Sequence, residues 1–235
     1  TTLNYSPNFD VKKRKVKELK FIIFHYTGMK KENQAITRLT NTKSKVSSHY
    51  LIKNNGEILT LVPDLYIAWH AGVSSWKNYK SINKYSIGIE ISNPGHEYFY
   101  KKFSKKQIKS ILKLSTYLRK KYKIKSNFIL GHSDIAPDRK KDPGEKFPWK
   151  YLSKNKIGHW HNLNEKKLFK KRNQIVDKLE KNIFIKNLYK LGYPKNILFN
   201  KYKYSKLLIT AFQRRFRQEL VNGIIDQECL FISNN

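Results

Sequence analysis

Short apolar runs separated by polar or small residues dominate the first part of the chain. Residues 21–24 and 128–130 form such runs, and their length is typical of buried strands. Residues 85–93 alternate instead, with isoleucines on one side and Glu90 among small residues on the other. This alternation predicts a central strand of a sheet. It also leaves one carboxylate on a strand that is otherwise apolar or small.

A hairpin and two helices complete the predicted first part. Residues 48–53 and 57–62 flank an Asn-Asn-Gly sequence, which favours an antiparallel hairpin with a type I′ turn. Residues 32–42 show helical spacing, and so do residues 104–122, which begin with a Ser-x-x-Gln capping box. We expect both helices to lie on the sheet. We expect residues 1–20 to form an irregular, exposed lead-in.

The last part of the chain has a wholly helical pattern. Apolar positions along residues 175–191 predict helices that stop at Gly192, and residues 207–216 predict a further helix. Asp226 is placed to cap a third, short helix. The pattern therefore predicts an α/β fold, in which a mixed central sheet flanked by helices is followed by a small C-terminal three-helix domain.

Two of the apolar runs lead into histidines. His25 follows the first run, and His132 comes shortly after the later one. Asp142 lies ten residues beyond His132, in a loop whose prolines and glycine favour folding back. If the two strands are neighbours, both imidazoles meet at one edge of the sheet. Two imidazoles, one carboxylate and an open fourth position match a catalytic zinc site. Histidines that form ordinary hydrogen bonds in loops are the alternative.

Five motifs occur in order along the chain, namely FHYTG, SSHYLI, AWHAGVSSW, YSIGIEISN and GHSDIAPDRKKDPG. Together they resemble the zinc-dependent N-acetylmuramoyl-L-alanine amidases, and most of all the envelope amidases with a C-terminal peptidoglycan-binding domain. The resemblance extends from about Ser6 to Ile232. It implies hydrolysis of the amide between N-acetylmuramic acid and L-alanine in peptidoglycan or its fragments, with one Zn²⁺ per chain.

The resemblance also assigns roles to single residues. It implies that His25, His132 and Asp142 hold the metal and that Glu90 is the general base and proton shuttle. Lys140, two residues before Asp142, would stabilise the oxyanion of the tetrahedral intermediate. The alternatives are a structural salt bridge for Glu90 and a surface position for Lys140.

Further residues are candidates for substrate contacts. The resemblance suggests Trp69, His70 and Asn93, with His70 close to the metal but not a ligand; a packed loop with a hydrogen-bonded histidine is the alternative. His159 and His161 form a His-x-His pair that could bind a second ion. We expect them to be surface or packing residues.

The C-terminal motifs AFQRRFR and VNGIID resemble the three-helix peptidoglycan-binding domain, although the third helix is curtailed. A helical packing module without a ligand is the alternative. The 235 residues suffice for one mid-sized domain and a small one. We place the catalytic domain, including a connector, at residues 1–164 and the helical domain at residues 165–235.

The composition and the start of the sequence bear on the disulfide content, on membrane insertion and on the cellular location. The single cysteine, Cys229, excludes an intrachain disulfide, and no run of about 18 apolar residues predicts a membrane span. The sequence begins without Met or a signal peptide, so we expect a processed or trimmed start. The resemblance implies the bacterial cell envelope, in the periplasm, with an outer-membrane lipid anchor on a missing N-terminus as an alternative. We expect a monomer.

The net charge of +32 comes from 49 Lys and Arg against 17 Asp and Glu, spread along the chain. A lysine- and asparagine-rich genome would produce such a surface, and so would selection for a polyanionic partner. Peptidoglycan and muropeptides are the expected partners. Nucleic acid fits on charge alone, but no DNA- or RNA-binding motif is present, so we expect none. A peptidoglycan-recognition protein that binds without cutting is the main alternative function.

Overall fold

The computed structural model describes residues 2–195 and 201–235. The described strands are β1 (Thr2–Leu3), β2 (Phe9–Asp10), β3 (Phe21–Tyr26), β4 (Tyr50–Ile52), β5 (Ile58–Thr60), β6 (Ile67–Ala68), β7 (Ser75–Trp76), β8 (Tyr79–Lys80), β9 (Ser86–Ile91) and β10 (Ile129–Gly131). The described α-helices are α1 (Glu32–Thr40), α2 (Lys105–Lys121), α3 (His132–Ile135), α4 (Trp149–Lys154), α5 (Glu165–Phe169), α6 (Lys178–Leu191), α7 (Lys201–Phe216) and α8 (Gln227–Ser233).

The central sheet has six strands in the order β1-β5-β4-β9-β3-β10. Within this sheet, as far as the structure describes it, the hairpin pair of β4 and β5 is antiparallel and the other four pairings are parallel. The sheet is therefore mixed, as the sequence predicts. Its three neighbouring parallel strands β9, β3 and β10 bring their carboxyl ends to one edge, which is where open α/β sheets bind ligands.

One face of the sheet is covered by α2. Ile87, Ile89 and Ile91 of β9 are fully buried there, together with Leu118 of the helix. Ser104 caps the helix, since its hydroxyl accepts from the backbone N–H of Gln107 at 3.1 Å. The predicted strand alternation and the predicted capping box are both confirmed. Each such large apolar side chain contributes about 1.5–3 kcal/mol to folding when fully buried.

The opposite face packs against the C-terminal helices. Phe21 and Ile23 of β3 belong to one continuous hydrophobic cluster with Phe184 of α6 and with Leu208 and Phe212 of α7. The C-terminal helices therefore share a core with the sheet. The division at residue 164 remains a prediction about domains, and among the described residues this cluster packs across it. Asp226 caps α8 as predicted, accepting from the N–H of Cys229 at 2.9 Å.

Two local predictions were wrong. Within residues 1–20, β1 pairs with β5 and Arg14 is buried, so the lead-in is part of the structure. The hairpin turn is not type I′. Gly56 N–H donates to the Lys53 carbonyl at 2.9 Å, and only Gly56 in this turn has positive φ, at 86°. A three-residue loop with a glycine in the left-handed region connects the same two strands.

Among the described residues, we find no helix with the length and apolar character needed to cross a membrane.

Candidate metal centre and active site

The strand order places the candidate residues at one edge. His25 of β3 lies directly opposite Glu90 of β9 in the parallel register, and Gly131 of β10 lies opposite Phe24. His132 is the next residue after Gly131, so the two histidines extend from neighbouring strands at the same level. Because side chains alternate along strands, His25 and Glu90 share one face. The predicted adjacency of the two strands is confirmed.

Three potential ligand atoms form a small triangle at this edge. His25 Nδ1 lies 2.9 Å from His132 Nδ1, and each nitrogen lies 3.0 Å from Asp142 Oδ2. All three side chains are buried. Within the described part of the chain, this is the one group of three such residues that could hold a metal ion. The His159 and His161 pair does not belong to it.

In each of the two histidines, the hydrogen bond of Nε2, the ring nitrogen outside the triangle, determines the tautomer. Ser86 Oγ donates to the Ile82 carbonyl at 2.7 Å, so it must accept from His70 Nε2–H at 3.0 Å. His70 Nδ1 then carries a lone pair and accepts from His25 Nε2–H at 3.0 Å. A neutral His25 therefore presents a lone pair at Nδ1.

The second imidazole is oriented in the same way. His132 Nε2 lies 3.1 Å from the carbonyl oxygen of Ala71, which can only accept, so Nε2 is the protonated nitrogen. A neutral His132 thus also presents a lone pair at Nδ1. Two nitrogen lone pairs and a carboxylate oxygen then converge within 3.0 Å of one another. Such a cluster of donor atoms is suited to a cation, and its donor set is one that Zn²⁺ prefers.

The pKa values favour the ligand forms. Burial, reinforced by His132, lowers the pKa of His25 to about 4, so its imidazole is neutral at pH 7. Burial alone would raise the pKa of Asp142, but the interactions with His132 and His25 outweigh it and hold this pKa well below its usual range. The carboxyl group is therefore ionised. His25 and Asp142 therefore have the protonation states that metal binding requires.

Glu90 stands beside this triangle with a free oxygen. Its Oε2 is buried and has no hydrogen-bond partner among the described residues. Burial and then the negative charge of Asp142 raise the pKa of Glu90 to about 8, while the positive charge of Lys140 acts in the opposite direction. A carboxylate with a raised pKa and an open oxygen in a cleft is suited to proton transfer.

The cleft around these groups has a volume of about 450 Å³. Lys140, Trp69 and Arg38 line it together with the residues already described. Lys140 forms no ion pair with any residue that the structure describes. Trp69 is held by its indole N–H, which donates to Asp10 Oδ1 at 2.7 Å. Both residues are thus placed where a substrate would lie.

Two of the predicted substrate contacts are engaged elsewhere. His70 lies next to a candidate ligand, as predicted, but both of its ring nitrogens are used by His25 and Ser86. It therefore supports His25, and since its ring also lines the cleft, a contact with the substrate stays a prediction. Asn93 is buried, and its amide donates to the Lys101 carbonyl at 2.8 Å within its own loop. This placement gives Asn93 a structural task in the loop.

One wall of the cleft is a hydrogen-bonded bridge between two loops. His96 Nε2 lies 2.9 Å from Glu145 Oε2, and His96 Nδ1 lies 2.9 Å from the Tyr26 hydroxyl oxygen. Tyr100 stacks on His96 with ring centroids 4.4 Å apart and donates to the Pro143 carbonyl at 2.6 Å. The loop after β9 is thereby fastened to the loop that carries Asp142.

Ser86 and Gly88 were missed by reasoning from the sequence. A side chain at Gly88 would place its Cβ 2.5 Å from the His70 ring, so only glycine leaves room for this imidazole. A glycine in the middle of a central strand often marks such a close approach. That signal is visible in the sequence, but it does not say which residue approaches.

Comparison with known proteins agrees with this geometry. Residues 15–145 match the profile of the N-acetylmuramoyl-L-alanine amidase family, Amidase_2. N-acetylmuramoyl-L-alanine amidase AmiD of Escherichia coli is 32% identical over 222 residues, which are 89% of this chain and 79% of that protein. The 1,6-anhydro-N-acetylmuramyl-L-alanine amidase AmpD of Haemophilus influenzae is 40% identical over 111 residues, 46% of this chain and 58% of that protein.

Solved structures extend the similarity over the C-terminal helices. The E. coli AmiD complex with anhydro-N-acetylmuramic acid-L-Ala-D-gamma-Glu-L-Lys superposes with a TM-score of 0.82 at 32% identity, covering 92% of this chain and 88% of that one. AmpDh3 of Pseudomonas aeruginosa, in complex with anhydromuramic pentapeptide, gives a TM-score of 0.80 at 28% identity, covering 97% and 94%. The chain therefore belongs to the N-acetylmuramoyl-L-alanine amidase family, the enzymes that hydrolyse the amide bond between N-acetylmuramic acid and L-alanine.

Proposed function

We propose that the chain carries out this hydrolysis with one Zn²⁺ ion held by His25, His132 and Asp142. The observation that supports the proposal most directly is the convergence of two imidazole lone pairs and one carboxylate oxygen, with pairwise distances of 2.9–3.0 Å. Three protein ligands leave a fourth position for water or substrate, as in catalytic zinc sites. Bound there, the ion would acidify a water molecule and polarise the substrate carbonyl.

Other residues of the chain then have separate roles in the reaction. Glu90 takes a proton from the attacking water at its open Oε2 and delivers it to the departing amine of L-alanine. The ammonium group of Lys140 stabilises the negative charge that develops on the carbonyl oxygen. Trp69 forms an apolar wall for the substrate, and His70 keeps His25 in its ligand tautomer.

We further propose that the substrates include 1,6-anhydromuramoyl peptides. AmiD and AmpDh3, which resemble this chain over most of its length, were solved with anhydromuramic peptides bound. Stem peptides carry carboxylates, and the cleft is lined by the cations Arg38, Lys140 and Lys141. Attraction between these groups would orient the peptide and speed association. We also propose a setting in the bacterial cell envelope, in the periplasm, where peptidoglycan is located.

Mass analysis of the products from defined muropeptides tests the activity. We expect the purified enzyme to release the free stem peptide and the muramic acid residue. Activity should disappear with a zinc chelator and return when Zn²⁺ is restored, because the three ligand atoms already lie within 3.0 Å of one another. Stoichiometric zinc and muropeptide binding without cleavage would instead indicate a recognition protein. Cleavage that persists in metal-free enzyme would contradict the zinc proposal.

Removing the nitrogens of His70 tests the support of His25. His70→Phe keeps a ring between β9 and His25 but no longer accepts from His25 Nε2–H. Loss of such a partner commonly weakens metal affinity by about 10–100-fold. We expect that loss in a competition titration with a chromogenic chelator. His161→Phe is the control, since His161 is also buried but does not contact the metal centre. Equal affinities in both variants would refute the role of His70.

A further inference from the structure

A buried carboxylate joins the metal centre to the C-terminal helices. Asp134 is 1% exposed and lies in the turn that follows β10. Its Oδ2 accepts from Gly131 N–H at 2.8 Å and from Arg215 Nη1 at 2.7 Å, and its Oδ1 accepts from the Tyr193 hydroxyl at 2.8 Å. Two of these three donors come from the C-terminal helical region. Both oxygens of the carboxylate are thus hydrogen-bonded, and these bonds connect the turn to the C-terminal helical region.

The same turn, α3, carries the proposed zinc ligand His132 and is hydrogen-bonded to the backbone of a second one, Asp142. His132 lies between Gly131 and Asp134, and its ring points to the metal centre. Ser133 N–H donates to the carbonyl oxygen of Asp142 at 2.8 Å, which fixes the backbone of the second ligand. Any shift of Asp134 therefore moves both His132 and Asp142. A displacement of a few tenths of an ångström is significant, because metal–ligand distances tolerate only about 0.2 Å.

Arg215 is itself held in a single position. Its Nη2 donates to the carbonyl oxygens of Ile129 at 3.3 Å and His159 at 3.4 Å. Its guanidinium lies 4.0 Å from the centroid of the Trp149 ring. The ion pair with Asp134 is almost fully buried, with side-chain exposures of 3% and 2%. Buried ion pairs of this kind are weak contributors to stability, and their better attested use is to specify one arrangement.

We propose that Arg215 and Tyr193 are positioning residues for the metal centre, acting through Asp134 on the turn that bears His132. The inference rests on the proposed zinc site. It gives the C-terminal helices a second task besides any contact with glycan, since they complete the scaffold of the catalytic edge. Removing either donor leaves a buried carboxylate short of a partner, and the turn must then relax.

Zinc affinity of the full-length chain tests the proposal. We expect Arg215→Met to raise the zinc Kd by about 10-fold, the lower end of the range for residues behind a ligand. Tyr193→Phe, which removes one hydroxyl and keeps the ring, should raise the Kd in the same direction, and we expect this variant to fold. Arg215→Lys keeps the charge and should recover part of the affinity. The absorption spectrum of the Co²⁺-substituted protein should change in the first two variants.

Two matched controls separate positioning from general destabilisation. Arg217→Met removes a buried arginine two residues further along the chain, which pairs with Asp226 inside the C-terminal region. Tyr204→Phe removes the hydroxyl of another buried tyrosine, which donates to the Pro194 carbonyl. Both should lower the unfolding temperature without changing the zinc Kd or the cobalt spectrum.

The outcomes distinguish this inference from the zinc proposal. A wild-type protein that binds no zinc overturns the zinc site itself. A wild-type protein that binds zinc, together with a folded Tyr193→Phe or Arg215→Met variant of unchanged Kd and cobalt spectrum, overturns only the positioning role. Equal losses of affinity in Arg215→Met and Arg217→Met overturn it as well, because the effect would then follow stability alone.

Discussion

Exchanging Glu90 for glutamine is expected to leave zinc bound and to lower kcat by about 10²–10⁴-fold. The amide has nearly the same shape as the carboxylate but cannot accept a proton from water. Glu90 is also outside the group of three ligand residues, so metal binding should not depend on it. The expected signature is a full zinc content with almost no turnover of a defined muropeptide.

Glu97→Gln is a suitable control for this variant. Glu97 lines the same cleft but is exposed, so the substitution removes a similar charge without removing the buried, unpartnered oxygen. We expect it to keep most of the activity. A Glu90→Gln enzyme with wild-type kcat would refute the role of Glu90 as the base. Loss of zinc from that variant would make Glu90 a ligand.

Asp142→Asn is expected to abolish stoichiometric zinc binding, and with it the activity. The substitution removes the one negative charge among the three ligands, and the loss should exceed the 10–100-fold effect of residues behind a ligand. The metal-free fold should survive, because the new amide can donate to an imidazole lone pair at the position where Asp142 Oδ2 lies 3.0 Å from both histidines. Zinc content after dialysis measures the loss.

Thermal unfolding provides an independent readout for Asp142. Zinc that binds only the folded chain raises the unfolding temperature of the wild type. It should not raise that of Asp142→Asn. Asp138→Asn, in the same loop but not among the possible ligands, should respond to zinc as the wild type does. If Asp142→Asn retained one zinc per chain, Asp142 would have to be removed from the ligand set.

The strand pattern alone predicts much of the metal centre. An apolar run that ends in a histidine was visible twice, and the parallel pairing of β3 with β10 places both histidines at one edge. Asp142 could be predicted only in part, since spacing allows a loop to fold back without showing that it does. The family resemblance supplied the role of Glu90, which alternation had marked only as an unusual carboxylate.

Long-range contacts set the limit of sequence reasoning. Arg14 looked like an exposed lead-in residue, yet its guanidinium donates to the Ser86 carbonyl at 2.7 Å, 72 residues away. The partners of His70, which lies in a loop, likewise come from two distant strands, β3 and β9. The link between Asp134 and Arg215 spans 81 residues and depends on how the C-terminal helices pack. Local patterns of polarity contain no information about such pairings.

The bridge from Tyr26 through His96 to Glu145 has a consequence for inhibitors. Because the bridge fastens two loops together, the width of the cleft is already set before a ligand binds. A rigid compound that fits the cleft would lose little conformational entropy on binding, and the protein would also lose little. Such compounds should therefore gain more over flexible analogues here than in hydrolases whose flaps close over the ligand.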